Sequence, residues 1–381
     1  MSEKYGYLLR NVEIYSPKYL GINDVLVVNN KILRIKKKIK DIPEFVEIID
    51  VSGMKMIPGI IDQHVHILGG GGEGGFASRV LEVKISELIS SGITTVVGLL
   101  GTDGVTKNIE SLIAKTKELR HFGFNAYALT GSYDYPSITL TGDVRKDIIF
   151  IEEVIGCKIA LSDHRSPQIT KDELLRLVSQ IRTARLLSGK KAYLKLHMGE
   201  SKEKLSMIDD ILESTDIPID IFRPTHVGRT KELLEDAIVF AKNGGIIDFT
   251  ARPDESFKEK MKYVMDQNIP RNLITFSSDG MGSWSTYKDG ALDKIGYSSM
   301  DALLKSIQYL FEEKLLSLEE LLPFVTSNVA SALGLECKGS IREGNDADLV
   351  LVNDAFEVVY LFSNGKLMMN DQNILVKGYY E

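Results

Sequence analysis

The chain is poor in cysteine: Cys157 and Cys337 are its only two in 381 residues. Two thiols make neither a disulfide framework nor a cysteine-rich zinc site, and they suit a reducing, cytoplasmic setting. No apolar run approaches the ~20 residues needed to span a bilayer, which excludes an evident membrane helix. The first ten residues mix charge and aromatics and lack the apolar centre of a secretory leader. Net positive charge is also missing: 46 Lys and Arg stand against 53 Asp and Glu, for a balance of −7. That balance weighs against nucleic acid or an anionic membrane as partner. Finally, the glycine-rich run 69–75 lacks the Gly-Lys-Ser/Thr ending of a P-loop, so it does not read as a phosphate cradle.

What is present is an ordinary globular composition, 44% hydrophobic and 26% charged, with enough apolar residues for a large core. Both ends carry short β-type runs, at 7–14, 24–28, 31–36 and 46–51 and again at 347–352, 357–362 and 366–369. Asn29-Asn30 and Ser363-Asn364-Gly365 mark turns between them. With no amphipathic helix at either end, residues 1–57 and 336–381 read as the two halves of one small β-sandwich domain. The middle, 58–335, alternates. Apolar runs at 59–66, 94–100, 126–130, 156–161, 192–197, 221–226, 246–250 and 273–278 resemble buried parallel strands. Stretches with apolar spacing near 3.6 lie between them, at 79–90, 109–120, 171–187 and 231–241. Eight such units match a (β/α)8 TIM-like barrel. A doubly wound sheet is the competitor, and eight units over this length fit closure better.

Four of the six histidines fall at the C-terminal ends of these runs. His64 and His66 close the first in Ile61-Asp62-Gln63-His64-Val65-His66 and, two residues apart, face the same way on a strand. His197 and His226 end the fifth and sixth, and Asp279 follows the eighth. In a closed barrel these ends meet at one mouth, the usual seat of catalysis. A single histidine is more often a hydrogen-bonded core residue; five positions gathered at one end of the strands are poorly explained that way. His121 and His164 fall on a helix and a loop and are not assigned to metal. Lys158 stands in the apolar run Gly156-Cys157-Lys158-Ile159-Ala160-Leu161. It reads either as a strand-end lysine paired with a carboxylate or as a desolvated amine that adds CO2 to form a carbamate bridging two metals.

Pro58-Gly59-Ile60-Ile61-Asp62-Gln63-His64-Val65-His66 resembles the opening metal motif of the amidohydrolase superfamily, and 339–350 resembles the stretch with which those proteins re-enter their β-domain. More narrowly, the chain resembles the isoaspartyl (β-aspartyl) dipeptidases. The pieces that carry this are Gly69-Gly70-Gly71-Gly72-Glu73, Gly101-Thr102-Asp103, Gly131-Ser132-Tyr133, Ser162-Asp163-His164-Arg165-Ser166, His197-Met198-Gly199, Thr225-His226-Val227 with Arg229, and Ser278-Asp279-Gly280. The likeness runs from about residue 7 to the C-terminus. One departure is Met281, where a small polar residue is expected; Ser283 keeps its spacing from Asp279.

The resemblance implies a two-zinc enzyme that cleaves the β-aspartyl amide of isoAsp-X dipeptides. The ligands would be His64, His66, the CO2-derived carbamate on Lys158, His197, His226 and Asp279. A hydroxide shared by the two zinc ions would attack, with Asp279 as general base and then acid, and Tyr133 would donate to the developing oxyanion. Such a substrate carries one ammonium and two carboxylates. Glu73 suits the first, and the planar forks of Arg165 and Arg229 suit the others. Gly71 and Gly72 would bring backbone close to the substrate, and Thr102 and Ser283 would add hydrogen bonds. The resemblance also implies a homo-oligomer, with an octamer as the form it suggests. Two rivals remain at this point: a cyclic-amide hydrolase of the dihydroorotase or hydantoinase kind, which would share every metal ligand, and a non-catalytic barrel scaffold, which would be expected to lose some of them.

Overall fold

The computed structural model describes residues 5–288 and 291–381. Residues 1–4 of the 1–57 segment thus lie outside the described residues. Five N-terminal strands come first: β1 (Gly6–Ser16), β2 (Lys18–Val28), β3 (Lys31–Lys36), β4 (Val46–Asp50) and β5 (Lys55–Pro58). Asn29, at φ 53°, turns β2 into β3 as its sequence implies. From the far end of the chain, β16 (Leu349–Val352), β17 (Val358–Ser363), β18 (Lys366–Asn370) and β19 (Asn373–Ile374) join the same sheet. The seam is β5 against β16, with Ile57 opposite Val350. The result is one nine-stranded sheet made from both ends of the chain, with its own apolar cluster around Val12, Val25, Leu349 and Phe362.

The middle of the chain supplies eight parallel strands in sequence order: β6 (Ile60–Val65), β7 (Ile93–Gly98), β8 (Asn125–Gly131), β9 (Val154–Leu161), β10 (Tyr193–Met198), β11 (Phe222–Thr225), β12 (Ile247–Thr250) and β13 (Ile274–Ser277). All eight expected runs are strands. Each is buried on both faces or nearly so, which is why they read as apolar runs rather than alternations. The ring closes just past β13: Val65 bridges Gly280, and the His66 amide donates to the Gly280 carbonyl at 2.9 Å. The fold is therefore a TIM-like barrel with a small sheet domain, as expected.

The helices between the strands are stopped by local chemistry. Ile109–Phe122 is capped by the Asn108 side chain at its start. Lys171–Ser188 opens with a Thr170–Glu173 capping box. One expectation fails: the helix over 79–90 is confined to Ile85–Ser90. Residues 70–80 instead double back on themselves, with the Val80 amide donating to Gly70 and Gly72 to Ser78, so Val80 and Leu81 serve a loop. A hairpin that periodicity did not foresee, β14 (Ser283–Lys288) and β15 (Ala291–Tyr297), rises beside that loop. Among the described residues, no helix is long and apolar enough to cross a membrane.

Candidate active site at the barrel mouth

The strand ends bring the expected side chains together. His64 and His66 lie at and just past the end of β6, and the Nε2 of each is 3.3 Å from Oδ1 of Asp279. These three residues form a group able to hold a metal ion. Lys158, on β9, places its Nζ 3.3 Å from His64 Nε2. The His226 ring packs against His64 at 5.0 Å between centroids, and the His197 ring against His226 at 4.6 Å. His226 and Asp279 both hold left-handed backbone, at φ 62° and 54°, a conformation costly for these residues and common where a side chain is aimed for function. The ring nitrogens of His197 have protein partners: Nδ1 lies 2.6 Å from the Tyr133 hydroxyl, and Nε2 3.2 Å from Asp163.

Burial sets the charges here. Desolvation pushes His64, His66, His197 and His226 below the usual imidazole value, so each ring is neutral and offers a lone pair. Desolvation likewise takes the Lys158 amine well below its ordinary range, against the pull of Asp279. The Nδ1 atoms of His64 and His66 and the Nε2 of His226 are buried with no hydrogen-bond partner. Imidazoles held below their usual pKa and a carboxylate form a donor set suited to a divalent ion such as zinc, with the Lys158 amine beside them.

Above this cluster lies a polar cleft. Glu73, Arg165, Arg229, Thr102, Tyr133 and Ser283 all line it, with Gly71 at its edge. Arg165 Nη1 reaches Glu73 Oε1 at 2.7 Å, and Thr102 Oγ1 donates to the same oxygen at 2.8 Å. Gly72 does not face this cleft; it lines a neighbouring recess with Phe76 and Thr106. The glycine run is ordered by its own backbone rather than floppy. Gly71 sits at φ 89°, and a Cβ there would meet the Ser78 carbonyl at 2.3 Å, so the doubled-back loop requires glycine. Lys107 ties the base of the loop by donating to the Leu68 carbonyl at 2.7 Å.

Sequence reasoning missed Asp163. Its side chain is 2% exposed and receives Arg165 Nε at 2.8 Å and Arg229 Nη1 at 3.3 Å. Burial alone would raise its carboxyl, but hydrogen bonds from His197 and Arg165 hold it well below the usual carboxylate range. It fixes both guanidinium groups in place. The signal lay inside Ser162-Asp163-His164-Arg165, two residues before an arginine already singled out.

Residues 56–368 match the Amidohydrolase family. The chain belongs to the amidohydrolase family. Within that family its resemblance to the β-aspartyl dipeptidases holds over the whole length. The β-aspartyl dipeptidase of the thermophilic, keratin-degrading Fervidobacterium islandicum AW-1, solved with a β-Asp-Leu dipeptide, is 40% identical, covering 98% of this chain and 100% of that one at a TM-score of 0.92. The dihydropyrimidinase of Brevibacillus agri shares the fold at a TM-score of 0.66 and 16% identity, covering 97% of this chain and 96% of that one. An adenine deaminase of Clostridium perfringens is 22% identical across 98% of the chain, which spans 61% of that protein's length. This amidohydrolase thus shares its barrel widely and its detailed sequence with dipeptidases.

Proposed function

We propose that this amidohydrolase hydrolyses the β-aspartyl amide bond of isoAsp-X dipeptides, using two zinc ions held by His64, His66, carbamylated Lys158, His197, His226 and Asp279. The observation that carries the reading is the cleft itself: Glu73, Arg165 and Arg229 line the same space as Asp279, while the other charged lining residues, Asp103 and Lys107, are engaged by the Thr106 amide and the Leu68 carbonyl. That set matches the one ammonium and two carboxylates of the substrate. The 40% identity to a protein solved with β-Asp-Leu supports it.

Bound at the mouth, the zinc ions would supply Lewis acidity, bringing the pKa of water towards ~7 and polarising the amide carbonyl. Asp279 takes the proton from the attacking water and returns it to the leaving amine. The Tyr133 phenol, kept protonated by burial, donates to the carbonyl oxygen as negative charge develops. Glu73 binds the substrate ammonium, which takes the place of the Arg165 contact on its carboxylate. Arg165 and Arg229 each bind a carboxylate, steadied from behind by Asp163. Thr102 and Ser283 add hydrogen bonds, and the Gly71–Gly72 backbone positions Glu73.

The test compares isoAsp-Leu with α-Asp-Leu, each with and without a chelator. Cleavage of isoAsp-Leu alone, abolished by the chelator, is expected. Turnover of dihydroorotate or hydantoin in place of isoAsp-Leu would overturn the reading, as would purified protein that binds no zinc.

A further inference from the structure

We propose that Lys107 is a positioning residue for the reaction: its ammonium is a built-in cation that orders the root of the 70–80 loop and so presents Glu73 to the substrate ammonium; this rests on the dipeptidase reading above. Lys107 directly precedes Asn108, whose side chain caps the helix Ile109–Phe122, so its backbone is held by a helix start. Its side chain crosses to the other loop. There Nζ donates to the Leu68 carbonyl at 2.7 Å and to the Gly69 carbonyl, with the Gly70 carbonyl at 3.5 Å. Leu68 and Gly69 are buried, and among the described residues their carbonyls accept from Lys107 alone. The convergence depends on the turn made here. Gly69 holds φ 74°, and a Cβ on it would run into the Val80 carbonyl.

Lys107 lines the cleft, yet the three charges of the substrate already have counterparts in Glu73, Arg165 and Arg229. A further cation there needs another task, and its contacts supply one. Asp103, the acid beside it in the lining, is taken by the Val105 and Thr106 amides and the Thr106 hydroxyl. All the hydrogen bonds of Lys107 go instead to backbone carbonyls. An ammonium has three donors and no acceptor, and convergent carbonyl dipoles are a cation cradle. The same segment grips the loop a second time, because Thr102 donates to Glu73 Oε1 at 2.8 Å. Between the two grips lie Gly70, Gly71 and Gly72. Glycine loses the most conformational freedom on ordering, so this stretch has many alternatives to the bound form. A tether at its root removes some of them before substrate arrives. Such pre-organisation shows in binding rather than in the chemical step.

The experiment measures kcat and KM for isoAsp-Leu in the zinc-loaded full-length protein and in Lys107→Met, Lys107→Gln and Lys107→Arg. Bound zinc and amide hydrogen exchange over residues 68–75 are read on the same samples. Lys107→Met should raise KM about 10-fold, the scale of one lost charge-assisted contact, with kcat and zinc content close to those of the parent. Potassium or methylammonium chloride should recover most of that loss. Tetramethylammonium chloride at equal ionic strength, bulky and without N–H donors, should not. Lys107→Arg should stay close to the parent. Lys107→Gln stands in if the Met variant does not fold, and the same rise is expected of it. An unchanged KM, or a rise that neither small cation reverses, would overturn the proposal. A fall in kcat together with bound zinc would also overturn it, by placing Lys107 with the metal cluster. A parent protein inactive on isoAsp-Leu would overturn the dipeptidase reading; amide exchange then decides the tether, faster exchange in Lys107→Met sustaining it and equal exchange overturning it.

Discussion

Two buried polar layers lie within the same barrel, and they are finished differently. In the lower one, the Asp248 carboxylate accepts from Lys195 at 2.8 Å, Thr225 at 2.7 Å, Ser277 at 2.7 Å, Gln63 at 2.8 Å and Thr275 at 2.9 Å. Five strands thus meet on one side chain whose oxygens are saturated by protein donors. In the upper layer, at the mouth, nitrogens of His64, His66 and His226 are equally buried and have no partner. A buried polar atom without a hydrogen bond costs about 1–3 kcal/mol, and three such nitrogens gathered around one carboxylate fit a site that takes a ligand, whereas the lower layer leaves only Gln63 Oε1 without a partner. The lower layer is an arrangement kept for the fold. Burial and polarity alone do not separate the two; the number of atoms left without a protein partner does.

The comparison can be broken by substitution. The largest effect should come from Asp279→Asn, which should lower kcat by about 10²–10⁴-fold, the range of a lost general base, while thermal melting stays close to that of the parent. Near-normal kcat would sink the assignment of the upper layer to catalysis. Next, Asp248→Ala should cost about 3–5 kcal/mol in denaturant unfolding, because it leaves Lys195, fully buried, without its carboxylate. A loss under about 1 kcal/mol would mean that the lower layer does not hold the strands. Glu73→Gln should lower kcat/KM about 10–100-fold, mostly through KM, since it removes a charge-assisted contact made before the reaction. An unchanged kcat/KM would detach Glu73 from the substrate. The smallest effect is the control: Arg182→Ala, which breaks an exposed pair with Asp216, should leave the denaturant midpoint indistinguishable from that of the parent.

The parts of this organisation that were legible in sequence share one property: they depend on neighbours in the chain. A fully buried parallel strand is an apolar run whatever lies beside it, so all eight were readable. The histidines stood out because each falls at the end of such a run. Asp163 was not assigned, because its importance lies largely in Arg229 and His197, which arrive from another loop and another strand. Asp248 and Lys195 were passed over for the same reason. The helix expected over 79–90 failed because Val80 and Leu81 have helical spacing, yet the backbone of Gly70 and Gly72 competes successfully for their part of the chain. The hairpin over Ser283–Tyr297 was missed because its apolar residues face a groove that exists only once the 70–80 loop is in place.

By itself, then, the sequence determined the alternation of buried strands and helices, the gathering of four histidines and Asp279 at the strand ends and the sheet domain contributed from both ends. Those follow from side-chain period and burial, which are local. Only the tertiary structure decided which polar groups have protein partners and which do not, that Glu73, Arg165 and Arg229 border one cleft, and that Met281, Trp284 and Ile295 line a second space beside it. Hydrogen-bond partnership and cavity shape are set by residues distant in the chain, and they come into being only when the barrel closes.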